Sequence, residues 1–400
     1  MDRLSRADVL ARDAGDVLAP IRSRFDLPEH GVYLDGNSLG ALPRQTPAVV
    51  VDLVQRQWAR DLISSWNRHD WIGMPTRLGA LIAPLIGAQA NEVIVCDTTS
   101  VNLFKLIASA LDARPDRHTI LSEAGNFPTD LYMAQGVARM RGNIDLRVTD
   151  ADAIAGSIDH TTAVVVLTHV HYKSGRKLDI AAITRAAHEK GALMLWDLSH
   201  SVGAVEVELD RCNVDFAVGC GYKYLNGGPG APAFLFVAER LQNDLHSPLS
   251  GWMGHAAPFA FDDDYRPGDG LARFLCGTPS VLGMAALECG LAQFAELDMA
   301  SVFAKARALG ALFIRLMTQE CGGFGFTLAS PEDDHVRGSH VSYAHADAYA
   351  ICQALIARAV VGDFRAPDLL RMGFSPLYTC LLYTSPSPRD RTRSRMPSSA

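Results

Sequence analysis

Between about residues 90 and 240, short runs of β-branched and other apolar residues alternate with stretches of helical spacing. This is the pattern of a mostly parallel sheet covered by helices. NEVIVCD reads as a strand leading into the helix VNLFKLIASAL. HTILSE, AVVVLTHVH, ALMLWD and FAVGCGY read as further strands, with ITRAAHEKG a helix between two of them. TPAVVVDLVQRQWARDLI upstream, and VLGMAALECGLAQFAEL and SVFAKARALGALFIRLMTQE downstream, place apolar residues at helical spacing. HVSYAHADAYAICQALIARAVVGDF then reads as strand, helix and strand of a smaller C-terminal domain. The fold class expected is α/β, and no internal repeat is visible.

Composition narrows the function classes. With 400 residues there is room for two or three domains, each with its own core. Lys and Arg number 37 against 44 Asp and Glu, a net charge of -7, and the one dense Arg cluster lies in the last dozen residues, so nucleic acid is not expected as a partner. No apolar run approaches the roughly 18 residues that span a bilayer, and MDRLSRADVLARD lacks the apolar stretch of a signal peptide. A membrane is therefore not expected, and the cytoplasm is the expected location. Eight cysteines without any C-x-x-C read as buried thiols. His169 and His171 lack nearby Cys or acidic ligands, so no metal is expected. After Thr379 the composition changes to CLLYTSPSPRDRTRSRMPSSA, with four Arg against one Asp and nothing periodic to bury. Residues 380–400 are expected to be a disordered, adventitious tail.

The chemistry concentrates between Ala192 and Gly230. Asp197 ends an apolar strand, where open α/β sheets put their ligand crevice, and Lys223 ends another, just before a glycine-rich turn. A buried lysine can form a Schiff base with a carbonyl, and an aspartate facing a pyridinium nitrogen keeps that ring an electron sink; together they describe pyridoxal phosphate. Thr98, Thr99 and Ser100 stand where a strand meets a helix N-terminus, a seat for a phosphate. Phe127 can stack on a pyridine face, Asp130 can reach a ring substituent, and His200 falls three residues after Asp197. Each also has a plain structural reading: helix caps for the hydroxyls and Asp197, a solvated strand end for Lys223, ordinary loop chemistry for Phe127 and Asp130, a hydrogen-bonded, non-catalytic histidine for His200. A dinucleotide fold is disfavoured, because Gly219-x-Gly221 meets Tyr224 where a third glycine belongs.

Taken in order, YLDGNSLGALP (33–43), TTSVNL, FPTD (127–130), THVHYKSG (168–175), DLSH (197–200), GYKYLNGGPG (221–230), GWMGH (251–255) and LLRMGFSPLY (369–378) resemble the kynureninase family of fold type I pyridoxal-phosphate enzymes, from about Gly31 to Thr379. The resemblance implies a large, mostly parallel seven-stranded sheet domain (41–285), a smaller α+β domain (286–379) and an N-terminal segment (1–40) packing with the latter. It implies that Lys223 holds the cofactor covalently and Asp197 pairs with the ring nitrogen. Phe127 stacks, Thr99, Ser100 and Tyr222 serve the phosphate end, and Pro128, Thr129, Asp130, Thr168 and His200 complete the cofactor site. Trp252 and Thr278 match residues that reach the cofactor from a partner subunit, which implies a homodimer. Arg371 matches the arginine that pairs with the substrate α-carboxylate.

The implied reaction is hydrolytic Cβ–Cγ cleavage of L-kynurenine to anthranilate and L-alanine, a step of tryptophan breakdown. Lys223 acts as base and Tyr222 is the candidate for proton delivery. Trp66 and Thr278 imply a preference for unhydroxylated kynurenine over its 3-hydroxy form. Two other readings remain at this point. One is a cysteine desulfurase or selenocysteine lyase, with Cys321 as nucleophile; the other is a catalytically silent pyridoxal-phosphate-binding protein. The family also leads one to expect a further helix after SPLY, where this sequence changes character.

Overall fold

The computed structural model describes residues 3–384. Seven strands form the large sheet in the order Val93–Val95, Phe234–Val237, Phe216–Gly219, Leu193–Asp197, Thr162–Thr168, Thr119–Glu123 and Asp145–Thr149. Phe234–Val237 runs antiparallel to both of its neighbours, and the other pairings are parallel. The central strands are apolar on both faces because each face meets helices. Val165 and Leu167 enter one core and Val164 and Val166 the other, as do Met194 and Trp196 against Leu193 and Leu195. Two strands had no counterpart in the expected pattern. Asp145–Thr149 is a half-exposed edge, and Phe234–Val237 follows the glycine-rich turn without a helix before it.

The helix expected over TPAVVVDLVQRQWARDLI is divided. Thr46–Asp52 is α-helical, Leu53–Asp61 is π-helical, and the run breaks at Leu62, whose φ is 50°. There the Ser65 hydroxyl donates to the Gln57 carbonyl and Trp71 Nε1 to the Gln57 side chain at 2.8 Å, so side chains compete with the backbone ladder.

The smaller sheet is antiparallel, in the order Thr327–Leu328, His340–Ala344, Leu369–Gly373, Asp363–Arg365. Helix Met299–Cys321 contributes Leu309, Leu312, Phe313 and Leu316 to a core shared with Val341, Tyr343, Leu370 and Met372. The run expected as the last strand of the smaller domain is two: Val360–Val361 pairs in parallel with Val32–Tyr33, and Asp363–Arg365 joins this sheet. The N-terminal segment touches both cores: Val9 and Leu34 enter the smaller one, Leu18, Ile21 and Phe25 the larger.

One expectation is corrected at the other end. The chain remains structured beyond the boundary drawn at 380: Leu381–Thr384 forms a 3-10 turn, Leu381 is buried in the small core, and its N–H donates to Asp13 at 2.6 Å. An apolar side chain and two backbone donors shared with Asp13 outweigh the polar composition that follows. The remainder of the expected tail lies outside the described residues. Among the described residues, no helix is long and apolar enough to cross a membrane.

The loop YLDGNSLGALP docks on the turn that carries Lys223. Gly40 N–H donates to the Tyr222 carbonyl at 2.8 Å, and a Cβ at Gly40 would stand 2.3 Å from the Lys223 carbonyl oxygen. Backbone cannot retreat as a side-chain tip can. Gly40→Ala is therefore expected to cost about 1–3 kcal/mol, read as a lower urea midpoint with unchanged slope; an unaltered midpoint would show that this approach is not tight.

Candidate active site

Two adjacent parallel strands end side by side, and their ends carry the reactive groups. Asp197 closes Leu193–Asp197, and Phe216–Gly219 runs on through Cys220, Gly221 and Tyr222 to Lys223. The Lys223 turn is closed by Asn226 N–H on the Lys223 carbonyl at 3.0 Å and Gly227 N–H on the Gly221 carbonyl at 2.9 Å. Asn226 sits at φ 58°, and a side chain at Gly221 would collide with the Pro232 carbonyl at 2.5 Å. The local sequence thus forces the lysine inward: Lys223 is 8% exposed.

Among the described residues, the one hydrogen-bond partner of Lys223 Nζ is His200 Nε2, at 3.3 Å. The same amine lies 5.8 Å from the ring centres of both Phe127 and Tyr222. Burial, reinforced by the Lys223 charge, holds the His200 imidazole well below its usual pKa. His200 is thus neutral and Nε2 can accept from the amine. Asp197 is buried and accepts the Ser199 N–H at 2.8 Å. Burial raises its pKa, while Ser199 and the Lys223 charge work against the rise.

A second buried carboxyl faces the same space. Asp130 is 1% exposed; Oδ2 lies 3.1 Å from the Thr168 hydroxyl, and Oδ1 has no partner. Burial first, and the nearby Asp197 second, push its pKa far above the carboxylate range. A protonated Asp130 can donate to Thr168, Thr168 to the Asn126 side-chain oxygen, Asn126 Nδ2 to Ser122 at 3.1 Å, and Ser122 to the Val166 carbonyl at 2.7 Å. Asn126 was not anticipated. It precedes FPTD on a loop, and neither spacing nor residue type signals that it orients Thr168.

Thr98 caps helix Thr99–Asp112 by accepting Val101 N–H at 3.3 Å, so the capping reading holds for that hydroxyl. Thr99 and Ser100 occupy the first turn, half-buried, beside the helix's free N–H groups. Pro128 and Thr129 open helix Pro128–Arg141 just after Phe127. The half-buried Tyr222 phenol is pushed above its usual pKa chiefly by burial.

On the four-stranded sheet, Arg371 is 1% exposed and already engaged. Nε donates to Asp363 Oδ1 at 2.9 Å, Nη2 to Asp363 Oδ2 and to Ser38 at 3.0 Å, and Nη1 to the Tyr172 carbonyl at 2.6 Å. Tyr172 in turn meets Phe127 edge-on at 5.3 Å. The sequence reading missed Asp363, although it falls eight residues before Arg371 and directly opposite it in the sheet register. Three expected residues stand apart in the single chain. Trp252 is 41% exposed and packs on Phe259, Thr278 is exposed, and Trp66 is half-buried against Trp71 at 5.8 Å. His169 and His171 hydrogen-bond to Ser201 and the Gly125 carbonyl respectively, and no described group of three or more His, Cys, Asp or Glu could hold a metal ion.

Residues 302–381 match the family model described as the kynureninase C-terminal domain. A kynureninase of Pseudomonas fluorescens is 49% identical over 381 residues, covering 94% of this chain and 92% of its own length. The chain belongs to the kynureninase family. It is accordingly a pyridoxal-phosphate-dependent hydrolase acting on a carbon–carbon bond. Solved structures show the same fold: a C-DES mutant with glycine linked covalently to its PLP cofactor (TM-score 0.77, 17% identity, 90% of this chain and 96% of that one), and a cysteine desulfurase of Thermococcus onnurineus (TM-score 0.74, 17% identity, 91% and 94%). The site fits the cofactor by its own chemistry: a buried amine with a single neutral partner among the described residues and a buried carboxyl oxygen with none are groups that a polar ligand would satisfy.

Glu123, at the end of Thr119–Glu123, is 3% exposed, and burial lifts its pKa from 4.5 to about 7 against the pull of Arg176. The folded protein therefore holds a proton that the unfolded chain releases, and this contribution to stability declines as pH rises from 4.5 towards 7. Glu123→Gln lacks that decline. Melting temperatures of the two proteins, measured between pH 4 and pH 8, are expected to favour the variant increasingly as pH rises; a constant difference would contradict the buried, protonated Glu123.

Proposed function

We propose that this chain cleaves the Cβ–Cγ bond of L-kynurenine with water, releasing anthranilate and L-alanine, and that it works as a homodimer with Lys223 as its catalytic residue. The observation that carries this is the buried Lys223 amine set against neutral His200, beside Asp197 and the half-satisfied Asp130, in a chain this close to kynureninases.

Pyridoxal phosphate, when bound, supplies an electron sink for negative charge that develops at the amino-acid carbons. Lys223 would hold it and, once released by the incoming amine, take the Cα proton; neutral His200 keeps that amine within reach without competing for its charge. Asp197, whose desolvation is offset by Ser199, would hold the proton on the ring nitrogen. Phe127 would cover one ring face, with Pro128, Thr129, Asp130 and Thr168 along its edge. Thr99, Ser100 and Tyr222 would receive the phosphate. Water adds to the γ-carbonyl, the Cβ–Cγ bond breaks, and Cβ takes up a proton. The Tyr222 phenol, kept protonated by its surroundings, is the donor this reading assigns.

Arg371 would grip the α-carboxylate, and Trp66 and Thr278 would favour the unhydroxylated substrate. The exposed aromatics Trp252, Phe259 and Phe261 form a surface suited to cover by a second copy, which supports Trp252 and Thr278 acting across a dimer. The desulfurase alternative lacks support here. Cys321 ends helix Met299–Cys321, near Tyr343, on the face of the small sheet opposite Ser342 and Arg371, and its thiol pKa is raised.

Protein supplied with pyridoxal phosphate is expected to release fluorescent anthranilate from L-kynurenine and no sulfide from L-cysteine; the reverse would overturn the reading. Shared sites make a second outcome measurable. Lys223→Ala and Trp252→Ala variants, each weak alone, should regain activity when mixed and allowed to exchange subunits, because one site of each heterodimer is intact. Failure of exchanged heterodimers to recover any activity would contradict the shared site.

A further inference from the structure

His340 is the one fully buried histidine with neither ring nitrogen hydrogen-bonded among the described residues. It begins the strand His340–Ala344, whose register sets Ser342 opposite Arg371 and His340 opposite Gly373. Residues two apart on a strand, and those directly paired across it, share a face. His340, Ser342 and Arg371 therefore project together, and the loop from His169 to Gly175 receives them. Ser342 donates to the Lys173 carbonyl and Arg371 to the Tyr172 carbonyl. Gly175, at φ 70°, brings its backbone so near that a Cβ there would stand 2.8 Å from the His340 carbonyl oxygen. On its other side the His340 ring lies 5.5 Å from that of His200, the partner of Lys223. Burial keeps it neutral, helped by Arg371, His171 and Lys223 in that order. The His171 backbone exerts a small opposing pull, but neither ring nitrogen has a partner in hydrogen-bond geometry.

Two bare nitrogens at this depth are costly unless something arrives to pair with them. Arg371 meanwhile spends much of its charge on Asp363, with the Asn37 amide facing the same nitrogens. A carboxylate docking there meets an arginine already compensated and needs a further donor. We propose that His340 is a substrate-binding residue whose ring N–H donates to the α-carboxylate end of the bound amino acid, beside Arg371. This rests on the reading above that the site takes an α-amino acid.

The test uses cofactor-loaded wild type, His340→Leu and His340→Gln, with L-alanine and anthranilate as probes of the two halves of the substrate. L-Alanine binding is followed through the absorbance of the bound cofactor, which requires no turnover, and the loaded proteins' melting temperatures show whether each is folded. His340→Leu is expected to weaken L-alanine binding and raise KM for L-kynurenine by about tenfold each, the scale of one lost hydrogen bond, while anthranilate inhibition is unchanged; Gln, which keeps a donor, recovers most of both. An unchanged L-alanine constant in folded His340→Leu, a loss confined to anthranilate, or Gln no better than Leu would overturn the proposal. Should Leu fail to fold, His340→Met provides the donor-free comparison. A wild type that binds L-alanine but does not cleave L-kynurenine would count against the functional reading and leave the His340 assignment standing.

Discussion

The site is organised around an amine that the fold removes from water. Taking a lysine ammonium out of solvent is expensive without a partner, and here the sole hydrogen-bonding partner among the described residues is a neutral imidazole. Several features of the large domain serve to keep that amine where it is. Gly40 and Gly221 permit backbone to pass within contact of its turn, Asn226 adopts a left-handed conformation to close it, and the apolar strands on either side end at the same level. Together they position the Lys223 amine beside two carboxyls that differ in their surroundings. Asp197 receives a backbone N–H and the influence of Lys223, whereas Asp130 receives one hydroxyl contact and keeps an oxygen bare. Burial raises the pKa of both, opposed at Asp197 by Ser199 and the Lys223 charge and reinforced at Asp130 by the nearby Asp197.

The four-stranded sheet contributes from the facing side. It presents His340, Ser342 and Arg371 on one face, and two of the three hydrogen-bond to carbonyls of the 169–175 loop. Tyr172, whose carbonyl Arg371 holds, lies edge-on to Phe127, so one residue touches both Arg371 and Phe127.

Much of this was legible in the amino-acid order. Uninterrupted apolar runs such as VVVLT and LMLW identify strands buried on both faces, and Asp197 and Lys223 stand out because a charged residue at the end of such a run needs a reason to be there. The strand-to-helix junction at 98–100 was also legible, and the capping role of Thr98 with it. Less visible were features created by long-range pairing. Asp363 becomes the partner of Arg371 only through strand register, Asn126 matters only because Ser122 and Thr168 flank it in neighbouring strands, and His340 looks like any strand histidine until His200 is brought against it. The π-helical stretch 53–61 and the structured turn after 380 escaped for the same reason. Gln57, Ser65 and Asp13 decide them through contacts that no local periodicity encodes.

The most direct test of the whole account is borohydride reduction of the cofactor-loaded protein followed by peptide mapping. The account predicts a reduced phosphopyridoxyl group on Lys223 and, in a Lys223→Ala variant, none. Modification of any other lysine in its place, or an unmodified Lys223 in protein saturated with the cofactor, would contradict it.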